Sequence, residues 1–167
     1  SGYAVGSSTA AYTEGLRIDK KVSLNSGGGD IVLKGKTSSA SMSTVGYGNS
    51  GFGIYDLGQA ASINSGTGTI HIEGINQNPS FTTYSSGIVF ALNRNYTITV
   101  TSANTTANAI NIIGQASGAN EGNYGFEIET NSPLAVNATG SGGGISISTS
   151  QASTSANRFD FAIRSAL

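Results

Sequence analysis

The chain contains no cysteine and little charge, and these two absences exclude several classes of protein. Without cysteine it cannot form a disulfide framework, a cysteine-ligated zinc site or a catalytic thiolate. Charged residues make up only 10% of the 167 residues, and the eight basic and nine acidic side chains are scattered singly. No basic stripe is therefore present to attract nucleic acid. No apolar run approaches the roughly 20 residues that cross a bilayer, so membrane insertion is not expected.

Small residues take the place of the missing charge. Glycine, serine, threonine, asparagine and alanine dominate the composition, with 24 glycines, and only 37% of the residues are hydrophobic. Disordered chains are usually highly charged, whereas this chain is not, and its hydrophobic residues are regularly placed. We therefore expect one folded domain, which is the default for this length.

The sequence repeats itself with a period whose length varies slightly. The phrase SLNSGGGDIVLKG at residues 23–35 recurs 39 residues later as SINSGTGTIHIEG at residues 62–74. One landmark is a glycine that precedes a short apolar stretch, at Gly15, Gly53, Gly87 and Gly125, with a degenerate copy from Asp160. A second landmark closes each period, at Gly35, Gly74, Gly114 and then Ser150. Two landmarks with matching periods indicate a structural repeat.

Each period contains three short runs in which hydrophobic and polar residues alternate. In the second period these runs are 54–57, 61–64 and 69–73. Alternation predicts strands with one buried face, and no window shows helical spacing. Three strands per period predict an all-β parallel β-helix of about four to five rungs over residues 15–167. Residues 1–14 are expected to form a partial cap or strand.

This register predicts four columns of inward side chains. The first two are Ile31, Ile70, Ile110, Ile145 and Leu33, Ile72, Ile112, Ile147. The other two are Leu16, Ile54, Ile88, Phe126, Phe161 and Leu24, Ile63, Val100, Val136. Each such side chain contributes about 1.5–3 kcal/mol when it is buried.

Outward residues also align from rung to rung. The register sets Lys34 beside Glu73 and Glu129 beside Arg164, so both pairs join opposite charges across a spacing of about 4.8 Å. Another aligned set shares one amide side chain and is expected to hydrogen-bond between rungs: Asn25, Asn64 and Asn137.

Three features depart from the regular pattern. The third period is longer between its second and third strands, which predicts a bulged turn near Asn104. Alternation would turn Asp56 inward, and we expect a bulge that buries Leu57 instead, because a lone buried carboxylate is costly. Long connections between rungs are predicted at 36–50, 75–86 and 115–123, all on one side of the coil.

Aromatic residues in or beside these connections are the candidate ligand contacts, because insertions on one face of a repeat fold often carry binding. They are Tyr47, Phe52, Phe81, Tyr84 and Tyr124. The alternative is that these rings cap the coil or cover its corner.

The repeat resembles those of filamentous-haemagglutinin-like exoproteins. The matching stretches are 23–35, 62–74 and 135–148, together with the glycine-led segments at Gly15, Gly53, Gly87 and Gly125. The resemblance implies a right-handed β-helix that forms part of a long secreted bacterial surface fibre, exported by two-partner secretion or as an autotransporter passenger. It implies adhesion or the presentation of a terminal domain, and it carries no catalytic residue or cofactor. The chain departs from the family in lacking an N-terminal secretion motif and a membrane barrel, so it is expected to be a segment of a longer fibre.

Few side chains could take part in catalysis or ligand binding. His71 is the single histidine and is predicted to face outward between Val32 and Asn111. Glu127 and Glu129 are predicted to face solvent, and paired carboxylates can cleave glycosides. The segment GSGGG at 140–144 lacks the lysine and helix of a phosphate loop. No catalytic, cofactor-binding or metal-ligating residue is therefore assigned.

The sequence favours a structural and adhesive segment of a secreted or cell-surface bacterial fibre, without catalysis. The expected partners are neighbouring repeats, a glycan or host receptor, and an outer-membrane transporter during export. The alternative is a glycan-binding or glycan-cleaving β-helix of the tailspike or polysaccharide-lyase kind. A third hypothesis, ice binding, would need a recurring threonine column, and only TITVT at 97–101 hints at one.

Overall fold

The computed structural model describes residues 2–5, 13–19, 22–38, 49–55, 60–77, 85–92, 97–117, 123–130, 134–152 and 159–164. Within these residues the chain forms fourteen strands and no helix, and the strands build three parallel sheets. Accordingly, no helix in the described ranges has the length and hydropathy needed to cross a membrane.

The strands follow one another around the three sheets in a fixed order. Sheet A contains β1 (Gly2–Val5), β4 (Ile31–Ser38), β7 (Ile70–Gln77), β10 (Ile110–Ser117) and β13 (Ile145–Ala152). Sheet B contains β2 (Thr13–Asp19), β5 (Asn49–Tyr55), β8 (Ser85–Leu92), β11 (Asn123–Thr130) and β14 (Phe159–Arg164). Sheet C contains β3 (Ser23–Asn25), β6 (Ala61–Asn64), β9 (Ile98–Ser102) and β12 (Leu134–Ala138).

Each winding passes through sheets B, C and A, and each strand pairs with its counterpart one winding away. We call β2–β4 rung 1, β5–β7 rung 2, β8–β10 rung 3 and β11–β13 rung 4, while β1 and β14 add a strand at either end. The predicted parallel β-helix with three strands per rung is therefore confirmed.

Three of the four predicted columns are confirmed residue by residue. Ile31 pairs with Ile70, Ile70 with Ile110 and Ile110 with Ile145, and the columns that begin at Leu33 and Leu24 continue in the same way. The side chains of the middle rungs are fully buried. Ile145 and Ile147 are 43% and 44% exposed because β13 is the outermost strand described in sheet A.

The predicted third column was wrong at one rung. Leu16 pairs with Phe52, not with Ile54, and Phe52 pairs with Ile88. The stacked glycine of rung 2 is accordingly Gly51, and Gly53 only resembles it because two glycines stand two residues apart. Ile54 belongs to a fifth column, between Ile18 and Phe90.

Phenylalanine rings fill the space between these two columns. Phe90 meets Phe52 and Phe126 edge to face, with ring centroids 6.3 and 5.3 Å apart. All three side chains are fully buried. This T-shaped arrangement is one of the two preferred geometries of packed aromatic rings.

The sheet A strands are longer than the sequence pattern predicted. They continue to Ser38, Gln77 and Ser117, so the connections do not begin at residues 36, 75 and 115. Alternation persists there, but its inward residues are Thr37, Asn76 and Ala116, which are poor markers of a core. The predicted connections also end too late, because β5, β8 and β11 begin at residues 49, 85 and 123.

Sheets A and B touch through stacked pairs of glycines. A Cβ atom on Gly35 would overlap the carbonyl oxygen of Gly51, and one on Gly74 would overlap the carbonyl oxygen of Gly87. No other residue type allows two backbones to approach so closely. The second sequence landmark is therefore the place where the coil is narrowest.

Asn25, Asn64 and Asn137 share one column as predicted, but Asn25 and Asn64 close turns and the predicted hydrogen-bonded ladder is absent among these described residues. The Oδ1 atoms of Asn25 and Asn64 accept hydrogen bonds from the N–H groups of Gly27 and Gly66, at 3.0 and 2.9 Å. Such contacts with the backbone two residues on are typical of turn asparagines. Asn137 does not stack on Asn64, because Thr101 lies between them in the register.

The longer turn predicted near Asn104 is present between β9 and β10. The Asn104 Oδ1 atom accepts a hydrogen bond from the N–H of Thr106 at 2.8 Å, and its Nδ2 atom donates to the Thr67 carbonyl at 2.7 Å. Asp56 and Leu57 lie outside the described residues, so the bulge predicted there stays a prediction.

Candidate functional site

A polar cluster on the outer face of sheet A joins three successive rungs. Lys34 comes from β4, His71 and Glu73 from β7, and Asn111 from β10. Their positions follow from the alternation of each strand, which turns the intervening isoleucines inward. The predicted stacking of His71 between Val32 and Asn111 is confirmed, as is the pairing of Lys34 with Glu73.

The contacts within the cluster define a chain of hydrogen bonds. Lys34 Nζ lies 2.8 Å from Glu73 Oε2, and the same oxygen lies 3.4 Å from His71 Nε2. On its other side, His71 Nδ1 lies 3.3 Å from Asn111 Nδ2. Because the Asn111 amide donates to Nδ1, the proton of neutral His71 lies on Nε2 and faces Glu73.

The charge of Glu73 is stabilised by this surrounding. The hydrogen bond from Lys34 is the largest effect and lowers the pKa of Glu73. Burial opposes it, and the weaker contact with His71 lowers the pKa further. Glu73 is therefore an anion at neutral pH, held between one cation and one imidazole.

The contacts of this cluster support a structural role between rungs better than a role in catalysis or metal binding. His71 and Glu73 could offer two ligands to a metal ion, but Lys34 already binds the carboxylate. Across the described ranges, no group of three His, Cys, Asp or Glu side chains is close enough to hold a metal ion. A general base needs a substrate within hydrogen-bond reach, and both nitrogens of His71 are engaged by neighbouring side chains.

Sheet B contains an irregularity that the alternation could not reveal. Residues three apart on a regular strand lie on opposite faces, yet Arg17 Nη1 lies 2.8 Å from Glu14 Oε1. Gly15 stands between them, and neither Gly15 nor its counterparts Gly51, Gly87 and Gly125 takes part in a residue pair of the sheet B ladders. Each strand is therefore irregular at this glycine without a change of register, and the residue before the glycine shares a face with the second residue after it.

The prediction for the exposure of Glu127 was wrong. Glu127 was expected to face solvent beside Glu129, but it is only 3% exposed. The hydroxyl of Ser86, which is also buried, donates a hydrogen bond to Glu127 Oε2 at 2.5 Å from the neighbouring rung. A carboxylate in this position is not accessible to a polysaccharide. Glu129 pairs with Arg164 in the register as predicted, but their side chains lie outside what the structure describes.

Among the described residues, the structure does not form a cluster of the aromatic side chains that were proposed to contact a ligand. Phe52 lies in β5 and is fully buried, so it is a core residue and cannot contact a ligand. Tyr124 lies in β11 and is buried as well. Tyr47, Phe81 and Tyr84 fall outside the described residues, and their assignment as ligand contacts stays a prediction.

Sequence reasoning missed two of these contacts for different reasons. The His71–Glu73 contact could have been found, because residues i and i+2 of a strand share a face. The Ser86–Glu127 contact could not, because these two residues share a face only through the irregularity at Gly87 and Gly125.

The chain matches no family model, no curated protein and no solved structure.

Proposed function

We propose that this chain is a structural and adhesive segment of a large secreted bacterial surface fibre. In this role it is a stiff stalk that holds a binding surface away from the cell. Its partners are neighbouring repeats of the same fibre, a glycan or host surface receptor, and an outer-membrane transporter during export by two-partner secretion or as an autotransporter passenger.

The observation that carries the proposal is the continuous register of all three sheets. Every strand of rungs 2 and 3 is hydrogen-bonded to a counterpart on both sides. Side chains in the columns stack without a break, as at Ile31, Ile70 and Ile110. An array in which each repeat contacts only its neighbours is extended and quasi-one-dimensional, which suits a stalk.

The composition of the outer face supports an extracellular role that does not depend on charge. Sheet C presents hydroxyl and amide groups, including Ser62, Asn64, Thr99 and Thr101, and none of its strands contains a charged residue. Such a surface offers hydrogen bonds to sugar hydroxyls without long-range attraction to nucleic acid or anionic lipid.

The glycan-cleaving alternative receives less support from the described residues. The one carboxylate that sequence reasoning considered for glycoside chemistry and whose side chain is described, Glu127, is buried against Ser86. The acid and base of a glycosidase must both reach the scissile bond.

Adhesion is tested by immobilising the purified chain on beads and measuring its binding to a glycan array and to host cells. We expect reproducible retention by at least one glycan, reduced when Phe81 and Tyr84 are replaced with alanine. A blank on both the array and the cells would refute the adhesive role and leave only a spacer. Release of new reducing ends from any bound polysaccharide would overturn the proposal in favour of an enzyme.

The stalk is tested separately by pulling single molecules along the solenoid axis. We expect successive rupture events spaced by the contour length of one rung. A single low-force event would contradict a stiff rod.

A further inference from the structure

The inward faces of neighbouring sheet A strands are almost interchangeable. Position by position, β4 presents Ile31, Leu33 and Gly35 to the core, while β7 and β10 each present isoleucine, isoleucine and glycine. Each of these sets would pack against any other. The apolar columns by themselves therefore do not distinguish correct pairing of β4 with β7 from pairing of β4 with β10.

The fourth inward position is the first at which the three strands differ. It holds Thr37 in β4, Asn76 in β7 and Ala116 in β10, which follow one another in the register. Thr37 and Asn76 are 2% and 1% exposed, and the Thr37 hydroxyl donates a hydrogen bond to Asn76 Oδ1 at 3.0 Å. It is a buried side-chain hydrogen bond that joins rung 1 to rung 2 on the core side of sheet A.

We infer that the buried Thr37–Asn76 pair selects the order of the rungs by making the pairing of β4 with β7 different from every other pairing of these strands. If β4 paired with β10 instead, Thr37 would face the methyl group of Ala116, which cannot accept its hydrogen bond. Buried polar groups that lose a partner penalise a structure strongly, whereas a satisfied pair adds little net stability. The pair thus acts mainly by destabilising structures in which β4 is paired with the wrong strand.

The experiment replaces the pair with apolar residues of similar volume, Thr37→Val together with Asn76→Val, in the full chain. We expect the denaturant midpoint to stay near that of the wild type or to rise, as for other buried polar pairs replaced in this way. The population of alternative pairings should rise about tenfold or more, since the discriminating penalty is removed. Two or more sets of amide signals for β4 and β7 should then appear in two-dimensional NMR spectra, where the wild type shows one.

Two further variants make the result specific. Thr37→Asn with Asn76→Thr keeps a hydrogen-bonding pair and should restore one set of signals. Ser23→Ala with Ser62→Ala removes an exposed hydroxyl pair, 3.1 Å apart, between the same two rungs and should leave one set.

The inference is overturned if the apolar double variant shows one set of signals with wild-type pairing of β4 and β7. It is equally overturned if the exchanged pair is as heterogeneous as the apolar pair. Should the apolar variant fail to fold, the exchanged pair decides alone, because a single wild-type pairing supports the inference and a mixture of pairings refutes it.

Discussion

The sheet A strands of rungs 2, 3 and 4 contain the same alternating isoleucines. They bury these side chains to different extents. Ile70 and Ile110 are completely buried, whereas Ile145, which continues their column, is 43% exposed. The strands do not differ in pattern. They differ in whether a counterpart is stacked on each side.

A second difference between these regions concerns the glycine that narrows the coil. Gly74 and Gly114 hold this position in rungs 2 and 3, and Thr149, not Ser150 as predicted, holds it in β13. Thr149 carries a side chain at this position, whereas a Cβ atom on Gly2 in β1, at the other edge of sheet A, would still overlap the carbonyl oxygen of Gly15. Neighbouring strands therefore decide burial, and the requirement for glycine differs between the two edges of sheet A.

The largest effect is expected from breaking the narrow part of an interior rung. Gly74→Ala introduces a methyl group that overlaps the carbonyl oxygen of Gly87, so we expect a loss of about 3 kcal/mol or more in the free energy of unfolding. Urea denaturation measures it. Gly29→Ala is the matched control, because the new Cβ would lie 3.9 Å from its nearest neighbours, and its effect should stay within about 1 kcal/mol. Equal effects of the two substitutions would show that the contact between the sheets is unimportant.

The next largest effect is expected from shortening an isoleucine of the first column in rung 3, and it can be compared with the same change in β13. Ile110→Ala should cost about 2–5 kcal/mol because it leaves a cavity between two stacked isoleucines. Ile145→Ala should cost less than about 1.5 kcal/mol, because nearly half of this side chain is already exposed. Both values come from the same denaturation experiment. The comparison fails if Ile145→Ala is as destabilising as Ile110→Ala.

A smaller effect is expected from the salt bridge between rungs 1 and 2. Because the pKa of Glu73 is lowered in the folded state, its contribution is present above the ordinary value of 4.5 and is lost as the pH falls through the folded value. Glu73→Gln should therefore cost about 0–1 kcal/mol at pH 7 and less than that at pH 3. Denaturation at the two pH values measures this difference. A cost that does not change with pH would mean that Glu73 acts through packing.

The smallest effect concerns one turn of rung 1. Asp30 Oδ1 accepts hydrogen bonds from the N–H and the hydroxyl of Thr69, at 2.7 and 2.9 Å, and these bonds lower the pKa of Asp30. Asp30→Ala should lower the protection factor of the Thr69 amide against hydrogen exchange above pH 3.8, and acid should lower the same protection factor in the wild type. The Ile70 amide, which donates to the Ala109 carbonyl, is the internal control and should not change. Faster exchange at both amides would indicate that the whole sheet loosens.

Periodicity predicted most of the core because two simple regularities act together. Alternation assigns each strand an inner face, and a nearly constant period sets equivalent residues beside one another, as for Ile70 and Ile110. The same two regularities predicted the contact of Lys34 with Glu73. They need no knowledge of how the three sheets pack together.

Prediction failed wherever the backbone departed from strict alternation or where a polar residue faced inward. At residues 51–54, two glycines made two registers equally plausible, so Phe52 was mistaken for a surface aromatic. At Glu127, the backbone irregularity at Gly125 and Gly87 brings Ser86 onto the same face, a contact that alternation does not predict. Thr37 and Asn76 gave no apolar signal, so the ends of the sheet A strands were placed too early.

The amino-acid sequence alone determined that this protein coils into stacked parallel rungs, because repeated alternation leaves the isoleucines no other shared interior. Only the tertiary structure decided which glycines meet across the coil, which carboxylate is buried and which polar pair distinguishes one rung from the next. Those outcomes depend on how closely two backbones approach and on partner residues some 40 positions away in the chain. The pattern of hydrophobic and polar residues contains no information on either.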